Sequence, residues 1–308
     1  MKIIEAILPL KIHAREGATD LERFSTLFLR SFDCFFSPKE LLKTVLLVPA
    51  ADLKAVHAHM EKLGREEIRV ICEDDVCPSL KGQAGWYKQQ ILKIAAANVV
   101  STDYYLTLDA DIVFKRPTSI QDVFPSGKPI LQKMNASVHW DWWISSQRIL
   151  KSSVNLTPES IVMGVTPEFL HRDTCLALQG AIASRNNTPE WDRFLFDSRQ
   201  VGWTEYSLYW LYVLEQGLER QLYDWSPKQM YDGIWERKDR DVLSRRRLRQ
   251  MFAPDSNAFF LVAQSNLNLK LSLIQRRILP YLTDRRLFQL DTHGGLFKRL
   301  RGYFTDRF

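Results

Sequence analysis

Short apolar runs alternate with stretches of helical periodicity, and this alternation constrains the fold more than any other feature of the sequence. Several of the apolar runs end at a proline or an acidic residue, as buried strands do. The stretches between them carry apolar residues three and four positions apart. The succession predicts an α/β fold with a mainly parallel central sheet flanked by helices. The predicted strands are 2–8, 44–48, 68–72 and 104–108, and the predicted helices begin at Asp20 or cover 52–63, 86–99, 166–182 and 204–217.

The composition is that of a globular protein with a core of its own. The chain has 308 residues, of which 45% are hydrophobic and 25% charged, which excludes a disordered or collagen-like chain. Cysteines stand at positions 34, 72, 77 and 175 without a C-x-x-C pair or a histidine at zinc-ligand spacing. We therefore expect reduced thiols, as in a reducing cytosol.

The basic residues are concentrated near the C-terminus. Residues 237–308 carry 16 Lys or Arg against 6 Asp, whereas the remainder has 26 basic and 30 acidic residues. This shift predicts a main domain over 1–236 and a basic, helical C-terminal extension over 237–308. No apolar stretch reaches the roughly 18 residues of a membrane-spanning helix, so we expect a soluble, cytoplasmic protein.

The basic extension raises the question of an anionic partner. Residues 267–308 mix Leu, Ile and Phe with arginine pairs, a pattern typical of a basic amphipathic helix that lies on the inner face of an anionic membrane. The alternative is a helical cap on the domain with its cations in water. No nucleic-acid-binding motif accompanies the positive charge, so we expect no nucleic-acid partner.

Two carboxylates follow the predicted strand 104–108, at Asp109 and Asp111. Ligands of open α/β sheets bind at the carboxyl ends of the strands, and residues two apart on extended backbone point the same way. Two such carboxylates suit Mn²⁺ or Mg²⁺, which commonly complete their shells with substrate phosphates. The alternative is an Asp-x-Asp pair that only caps a turn.

Three segments carry a resemblance to a known family. They are Gly85–Lys93, which contains the pattern W-x-x-Q-Q-x-x-K, then Asp109-Ala110-Asp111, and finally Trp203–Tyr209, which contains E-Y-x-x-Y. In this order they resemble the DXD-containing, GT-A-fold nucleotide-sugar glycosyltransferases, in particular a poorly characterised bacterial group. The resemblance spans about 125 residues and is more specific than the two aspartates alone.

The resemblance implies a metal-dependent sugar transfer. It implies a nucleotide-sugar donor, with a UDP-sugar as the first expectation, whose diphosphate is held by Mn²⁺ or Mg²⁺ on Asp111 with Asp109 nearby. It implies a glycan or lipid-linked acceptor of a bacterial surface. Gln89, Gln90 and Lys93 are the expected nucleotide-facing residues, or else the solvated side of a helix.

A base on the acceptor side is expected at Glu205, among the aromatic residues of 203–210. An inverting displacement needs a carboxylate or histidine opposite the leaving group. His139 and Asp141, in an aromatic run that lines an acceptor cleft or packs the core, compete for this role. The alternative for Glu205 is a glutamate at the start of a helix beside core aromatics.

Other features leave alternatives open. His293-Gly294 is faintly similar to the late metal ligand of some retaining GT-A enzymes but departs from the H-x-x-G-x-x-K spacing, and an ordinary glycine turn explains it better. The stereochemical outcome is therefore open.

Asp109-x-Asp111-x-Val113 also satisfies the D-x-D-x-[TV] motif of haloacid-dehalogenase-like phosphatases, although about 100 residues of α/β pattern precede it. A non-catalytic sugar-nucleotide-binding or membrane-docked scaffold is the remaining alternative.

Overall fold

The computed structural model describes residues 3–12, 19–235, 245–253, 256–264 and 270–282. The strands are β1 Ile4–Pro9, β2 Leu42–Val48, β3 Arg69–Cys72, β4 Tyr104–Thr107, β5 Ile112–Phe114, β6 Lys133–Asn135, β7 Ile161–Met163, β8 Glu168–His171, β9 Tyr231–Ile234 and β10 Phe260–Ala263. The α-helices are α1 Asp20–Arg23, α2 Leu29–Phe35, α3 Leu53–Lys62, α4 Glu73–Val76, α5 Trp86–Ala95, α6 Ile120–Val123, α7 Trp140–Leu150, α8 Arg172–Arg185, α9 Trp191–Asp197, α10 Glu205–Glu215, α11 Glu219–Leu222, α12 Arg245–Met251 and α13 Leu271–Ile278. A π-helical turn, Phe24–Phe28, joins α1 to α2.

The central sheet has the strand order β3-β2-β1-β4-β8. β1, β2, β3 and β4 run parallel, and β8 is antiparallel to β4. Every residue of β1 is buried, as expected of a parallel strand covered on both faces. Helices α3, α5 and α8 pack against β3, β1 and β8 respectively. The predicted α/β fold with a mainly parallel central sheet flanked by helices is confirmed.

The predicted helix over 166–182 is wrong in its first part. Glu168–His171 forms β8, whose Leu170 lies opposite Tyr105 of β4, and helix α8 begins only at Arg172. Phe169 and Leu170 are buried in this pairing. The Thr-Pro-Glu sequence signals a helix start locally, but the pairing with β4, more than 60 residues earlier in the chain, overrides that preference.

A second sheet joins a strand that follows the central strand β4 to two strands of the C-terminal part of the chain. It has the order β5-β10-β9, with β10 antiparallel to β5 and parallel to β9. Phe260 of β10 lies 4.6 Å from Phe114 of β5 between ring centroids. The described part of 237–308 therefore holds a strand as well as helices, and a domain boundary at residue 236 remains a prediction.

Helix α13 places its apolar side in the protein core. Ile274 and Ile278 have no exposed surface, and Gln275 donates to Thr26 Oγ1 at 3.0 Å. The rest of the predicted amphipathic segment, 265–269 and 283–308, lies outside the described residues. None of the helices in the described ranges has the length and apolarity to span a bilayer. All four cysteines are free thiols.

Candidate functional site

Asp109 and Asp111 lie beyond the carboxyl end of β4, on a turn rather than on continued strand. Ile112 N donates to Asp109 O at 3.3 Å, which closes the turn, and Ala263 N of β10 donates to Asp111 O at 3.0 Å. The turn gives the two side chains different surroundings, since Asp109 is 42% exposed whereas Asp111 is buried. The prediction that residues 109–111 continue as extended strand is therefore wrong. Both aspartates nevertheless lie beyond the carboxyl end of β4, where the sequence predicts a ligand.

Lys93 of α5 links Asp109 to Glu205. Its Nζ lies 2.9 Å from Asp109 Oδ1 and 3.0 Å from Glu205 Oε1, and it donates to Thr166 Oγ1 at 3.2 Å. Lys93 is fully buried, and a buried ammonium is stable only with such partners. Burial alone lowers the pKa of Lys93, but the charges of Asp109 and Glu205 outweigh it and hold that pKa well above its usual value. Lys93 is therefore a permanent cation between two carboxylates.

Glu205 is the first residue of α10 and has no exposed surface. Burial raises the pKa of Glu205 to about 7, against the opposing effect of Lys93. With its amide oriented so that both neighbours are satisfied, Gln90 donates to the two carboxylate oxygens of Glu205 and accepts from Trp86 Nε1 at 3.2 Å. The helix N-terminus adds a favourable dipole for the carboxylate. The structure therefore encloses this carboxylate between a lysine and an amide.

A hydroxyl cluster joins α10 to the central sheet beneath Lys93. The Tyr206 hydroxyl lies 2.8 Å from Thr107 Oγ1 and 2.7 Å from Thr166 Oγ1. Thr107 Oγ1 in turn donates to the carbonyl of Glu168 at 2.8 Å. These contacts fix α10 relative to β4 and β8, and with it the position of Glu205.

An open cleft lies at the carboxyl ends of β1 and β2, beside the N-terminus of α5. Its cavity volume is about 40 Å³, and it opens to solvent. Gly85, at φ 115°, begins α5 with backbone in the region that favours glycine. Lys88, on the cleft wall, is ion-paired with Glu73 at 2.6 Å and Asp74 at 3.3 Å. The lining residues are Pro9, Leu10, Lys11, Pro49, Glu73, Ala84, Gly85, Lys88 and Gln89.

Aromatic rings cover the other side of α5. Trp86 lies 6.1 Å from Trp142 and 4.8 Å from Tyr87 between ring centroids, and His139 stacks on Trp142 at 3.8 Å. Trp86 is 45% exposed, and the other three are half-buried. We call Trp86, Tyr87, His139 and Trp142 the aromatic platform. Burial lowers the pKa of His139, so its imidazole is neutral at pH 7.

The structure groups the predicted site residues into three places. Gln90, Lys93 and Glu205 are buried and meet the partly exposed Asp109 in one polar centre, Gln89 lines the cleft, and His139 belongs to the platform. Asp141 is exposed on α7. His293 lies outside the described residues.

Some site residues had not been predicted. Lys11 lies two residues after the end of the first strand, and its position near a carboxyl end could have identified it. Burial raises the pKa of Asp20, and Asp109 is close enough to contribute to that rise. No sequence signal marks Thr166, because only the folded chain brings it to Lys93.

The carboxylates can hold part of the shell of a divalent ion. Within the described residues no three His, Cys, Asp or Glu side chains surround one point. Asp109 and Asp111 supply hard oxygen ligands, and ions such as Mg²⁺ are commonly bound by one or two carboxylates plus water and substrate phosphates. The donor atoms are therefore of the type that suits an ion that binds together with a phosphorylated ligand.

The chain is similar to several solved glycosyltransferase structures. Mouse xyloside xylosyltransferase 1 is 14% identical, with 86% of this chain and 99% of that one covered and a TM-score of 0.46. The galactosyltransferase LgtC, solved with donor and acceptor sugar analogues, is 10% identical, with coverage of 84% and 86% and a TM-score of 0.46. GlyE of Streptococcus pneumoniae TIGR4 is 12% identical, with coverage of 86% and 55% and a TM-score of 0.39.

Comparison by sequence gives a family assignment. No curated protein matches the chain. A family model matches residues 1–285, which is most of the sequence. The chain therefore belongs to DUF6492, a family of unknown function.

Proposed function

We propose that the protein is a metal-dependent glycosyltransferase of the GT-A type that uses a nucleotide-sugar donor. One observation carries the proposal: three segments far apart in the sequence, which together resemble that family, meet in a single centre. Lys93 of the first contacts Asp109 of the second at 2.9 Å and Glu205 of the third at 3.0 Å. Contact between the three segments indicates that they serve one site.

The cleft beside α5 is the proposed nucleotide site. It lies at the carboxyl ends of parallel strands, where α/β proteins bind ligands, and it opens next to the start of a helix, which favours an anion. Lys11 lies on its wall and offers a cation for the diphosphate. Lys88 is held by Glu73 and Asp74, so its role there is to shape the wall. A UDP-sugar is the donor we expect.

Asp109 and Asp111 would hold Mn²⁺ or Mg²⁺ for the diphosphate of the donor. The ion supplies charge stabilisation for the departing nucleoside diphosphate. Lys93 fixes the Asp109 carboxylate through one oxygen while 42% of the side chain stays exposed. A ligand fixed in this way needs little reorganisation when the donor binds.

The complete burial of Glu205 favours a positioning role for this carboxylate over the role of base. With no exposed surface, Glu205 is placed to position Lys93, and through it Asp109, rather than to meet an acceptor hydroxyl directly. Of the residues named for the base role, His139 is half-buried on the platform and Asp141 is exposed. We therefore propose that proton transfer from the acceptor occurs on the platform side.

Thermal-shift measurements test the donor site. UDP, GDP and CMP, each with and without Mn²⁺, should give metal-dependent stabilisation by one nucleotide. Asp111→Asn should abolish that stabilisation, since it removes a carboxylate ligand. The matched control is Asp173→Asn, which changes an aspartate that is 73% exposed on α8 and should leave the shift intact.

The remaining functions give different results in the same series. Nucleotide binding without consumption of any donor, across a broad acceptor panel, would favour a non-catalytic scaffold. Hydrolysis of a generic phosphomonoester that depends on Asp109 would favour the phosphatase. Absence of any nucleotide effect in the wild type would refute the transferase.

The acceptor is proposed to be a bacterial surface glycan or a lipid-linked saccharide, reached by peripheral contact with an anionic membrane. In α13 the apolar residues Leu271, Ile274 and Ile278 are buried in the core, while Arg276 is exposed. Contact through this helix would therefore be electrostatic. Sedimentation with phosphatidylglycerol vesicles, but not phosphatidylcholine vesicles, and release at high salt are the expected results.

A further inference from the structure

The aromatic platform carries an inference about the acceptor. Trp86 is one of the most exposed large apolar side chains in the described structure, and it lies against a second indole, Trp142. Apolar surface of this kind, rimmed by polar residues, marks binding sites. Tryptophan is the side chain best suited to present a rigid apolar face at low entropic cost.

The polar edge of Trp86 is already satisfied inside the protein. Its Nε1 donates to the Gln90 amide oxygen at 3.2 Å. The 45% of Trp86 that remains exposed is therefore offered as apolar ring surface. His139 stacks on one face of the Trp142 ring, with the ring centroids 3.8 Å apart and an interplanar angle of 17°. Both indoles are pre-organised before a ligand arrives.

The platform is continuous with the polar centre of the site. Residues 86, 90 and 93 lie on one side of α5, because positions i, i+4 and i+7 of a helix face the same way. Gln90 connects Trp86 to Glu205, and Lys93 connects Glu205 to Asp109. Gly85, Lys88 and Gln89 face the cleft instead. Helix α5 thus separates a polar cleft from an apolar surface, with the polar centre along it.

We propose that the aromatic platform is a subsite for a neutral pyranose ring of the acceptor. The identification of this sugar as the acceptor rests on the proposed transferase function. A pyranose has one face of C–H groups, which packs on an indole ring, and hydroxyls at its edge. The neutral His139 of the platform and the exposed Asp141, which precedes Trp142 in the chain, can accept hydrogen bonds from such hydroxyls. None of the four platform residues carries a positive charge at pH 7, so they offer no partner to the carboxylate of an acidic sugar.

Saturation-transfer difference NMR on the full chain tests the subsite directly. The probes are lactose, maltose and chitobiose, with sialyllactose as an acidic comparison. We expect saturation of the ring C–H protons of at least one neutral disaccharide. Trp142→Ala should weaken that binding by about tenfold, the loss of one aromatic contact, whereas Trp142→Phe should retain most of it.

Two further variants complete the design. Trp225→Ala is the matched control, since Trp225 is a half-buried tryptophan that packs on Trp210 and Arg220 outside the platform, and it should not change sugar binding. Trp86→Ala removes a largely exposed ring and gives a second test should Trp142→Ala fail to fold. Absence of signal from every neutral disaccharide, equal signals in the wild type and both alanine variants, or binding of sialyllactose alone would overturn the proposal.

The nucleotide thermal shift of the wild type, measured in parallel, separates the two proposals. A nucleotide effect without sugar binding would leave the transferase standing and remove the subsite. Sugar binding that depends on Trp142 without any nucleotide effect would establish a saccharide site and remove the transferase.

Discussion

Lys93, whose side chain is buried, forms ion pairs with two carboxylates. Its fully buried ammonium lies about equally far from Asp109 and Glu205, at 2.9 and 3.0 Å. The three groups carry one positive and two negative charges when all are ionised, so the balance depends on Glu205, whose pKa is raised to about 7 by burial. Single-residue changes here should affect both stability and the position of Asp109.

Removal of the buried cation should be strongly destabilising. Lys93→Met leaves Glu205 enclosed without a counter-charge, and we expect a loss of about 3–5 kcal/mol in the free energy of unfolding at pH 8. The double variant Lys93→Met/Glu205→Gln removes the uncompensated charge and should recover much of that loss. Urea unfolding of the three proteins measures this. Equal losses in the single and double variants would show that packing, not charge, makes Lys93 necessary.

Glu205 should make stability depend on pH between about 4.5 and 7. Its pKa is about 7 in the folded protein against 4.5 as the ordinary value, so the folded state binds the extra proton in this window. The free energy of unfolding should therefore fall as pH rises through the window and level off above pH 7. At 1.36 kcal/mol per pH unit, the fall is about 3 kcal/mol.

Comparison with Glu205→Gln isolates this contribution. The variant lacks the titrating group, so between pH 5 and pH 8 the wild type should lose about 2–3 kcal/mol of unfolding free energy relative to it. Glu168, another buried glutamate whose pKa burial raises, is present in both proteins and cancels. Urea unfolding at four pH values gives the difference, and parallel curves for the two proteins would refute the raised pKa.

At the level of secondary-structure elements, the start of α10 determines where Glu205 lies. Thr204 Oγ1 accepts from Ser207 N at 3.1 Å, and Ser207 Oγ accepts from Thr204 N at 3.0 Å. This reciprocal cap fixes the first turn, and Ser207 Oγ also lies 2.7 Å from Ser146 Oγ of α7. Loss of the cap should therefore act on stability and on the polar centre together.

Thr204→Ala should cost about 1 kcal/mol, the usual contribution of a threonine N-cap, while Thr204→Ser should retain the hydrogen bond and cost less. Ser119→Ala is the matched control, because Ser119 caps α6 by the same reciprocal pattern with Asp122. Urea unfolding should show similar losses for the two alanine variants, and only Thr204→Ala should weaken the nucleotide thermal shift. A Thr204→Ser variant as unstable as Thr204→Ala would contradict the capping role.

The elements themselves differ in how far the sequence predicts them. The strand before Asp109 and the helix from Trp86 are local features, since a continuous apolar run and an i, i+3, i+4 pattern need no distant partner. The strand Glu168–His171 exists because it pairs with β4, and no local pattern contains that information.

The candidate site shows the same contrast between features that the local sequence predicts and contacts that depend on distant parts of the chain. The sequence and the family resemblance predict functional roles for Lys93, Asp109 and Glu205. They do not predict that Lys93 joins the other two, because that contact depends on how α5 and α10 pack around the end of β4. The residue types in a site can therefore be inferred from segments, whereas their partners come from the packing of whole elements.

At the scale of the whole molecule, the described elements within the last 72 residues have a structural role that their positive charge does not indicate. The positive charge of 237–308 suggests an appendage, yet β10 lies between β5 and β9, and Lys115 of the main domain donates to the carbonyl of Met251 and to Ser256. Ala263 of β10 also donates to Asp111 O at 3.0 Å. The described C-terminal elements thus complete a sheet and support one of the two aspartates of the site.

Deletion of 237–308 should therefore destabilise the main domain rather than free it. The fragment 1–236 would lack the middle strand of the β5-β10-β9 sheet and would leave the buried ammonium of Lys115 without two of its acceptors. We expect a lower urea midpoint, a broader transition and loss of the nucleotide thermal shift. Ile274→Ala in the full chain is the milder comparison, since it removes a fully buried side chain of α13 and should cost about 2–5 kcal/mol while leaving unfolding cooperative. If 1–236 unfolded with the midpoint and slope of the full chain, the basic segment would be a separable extension, and the boundary predicted from its charge would be right.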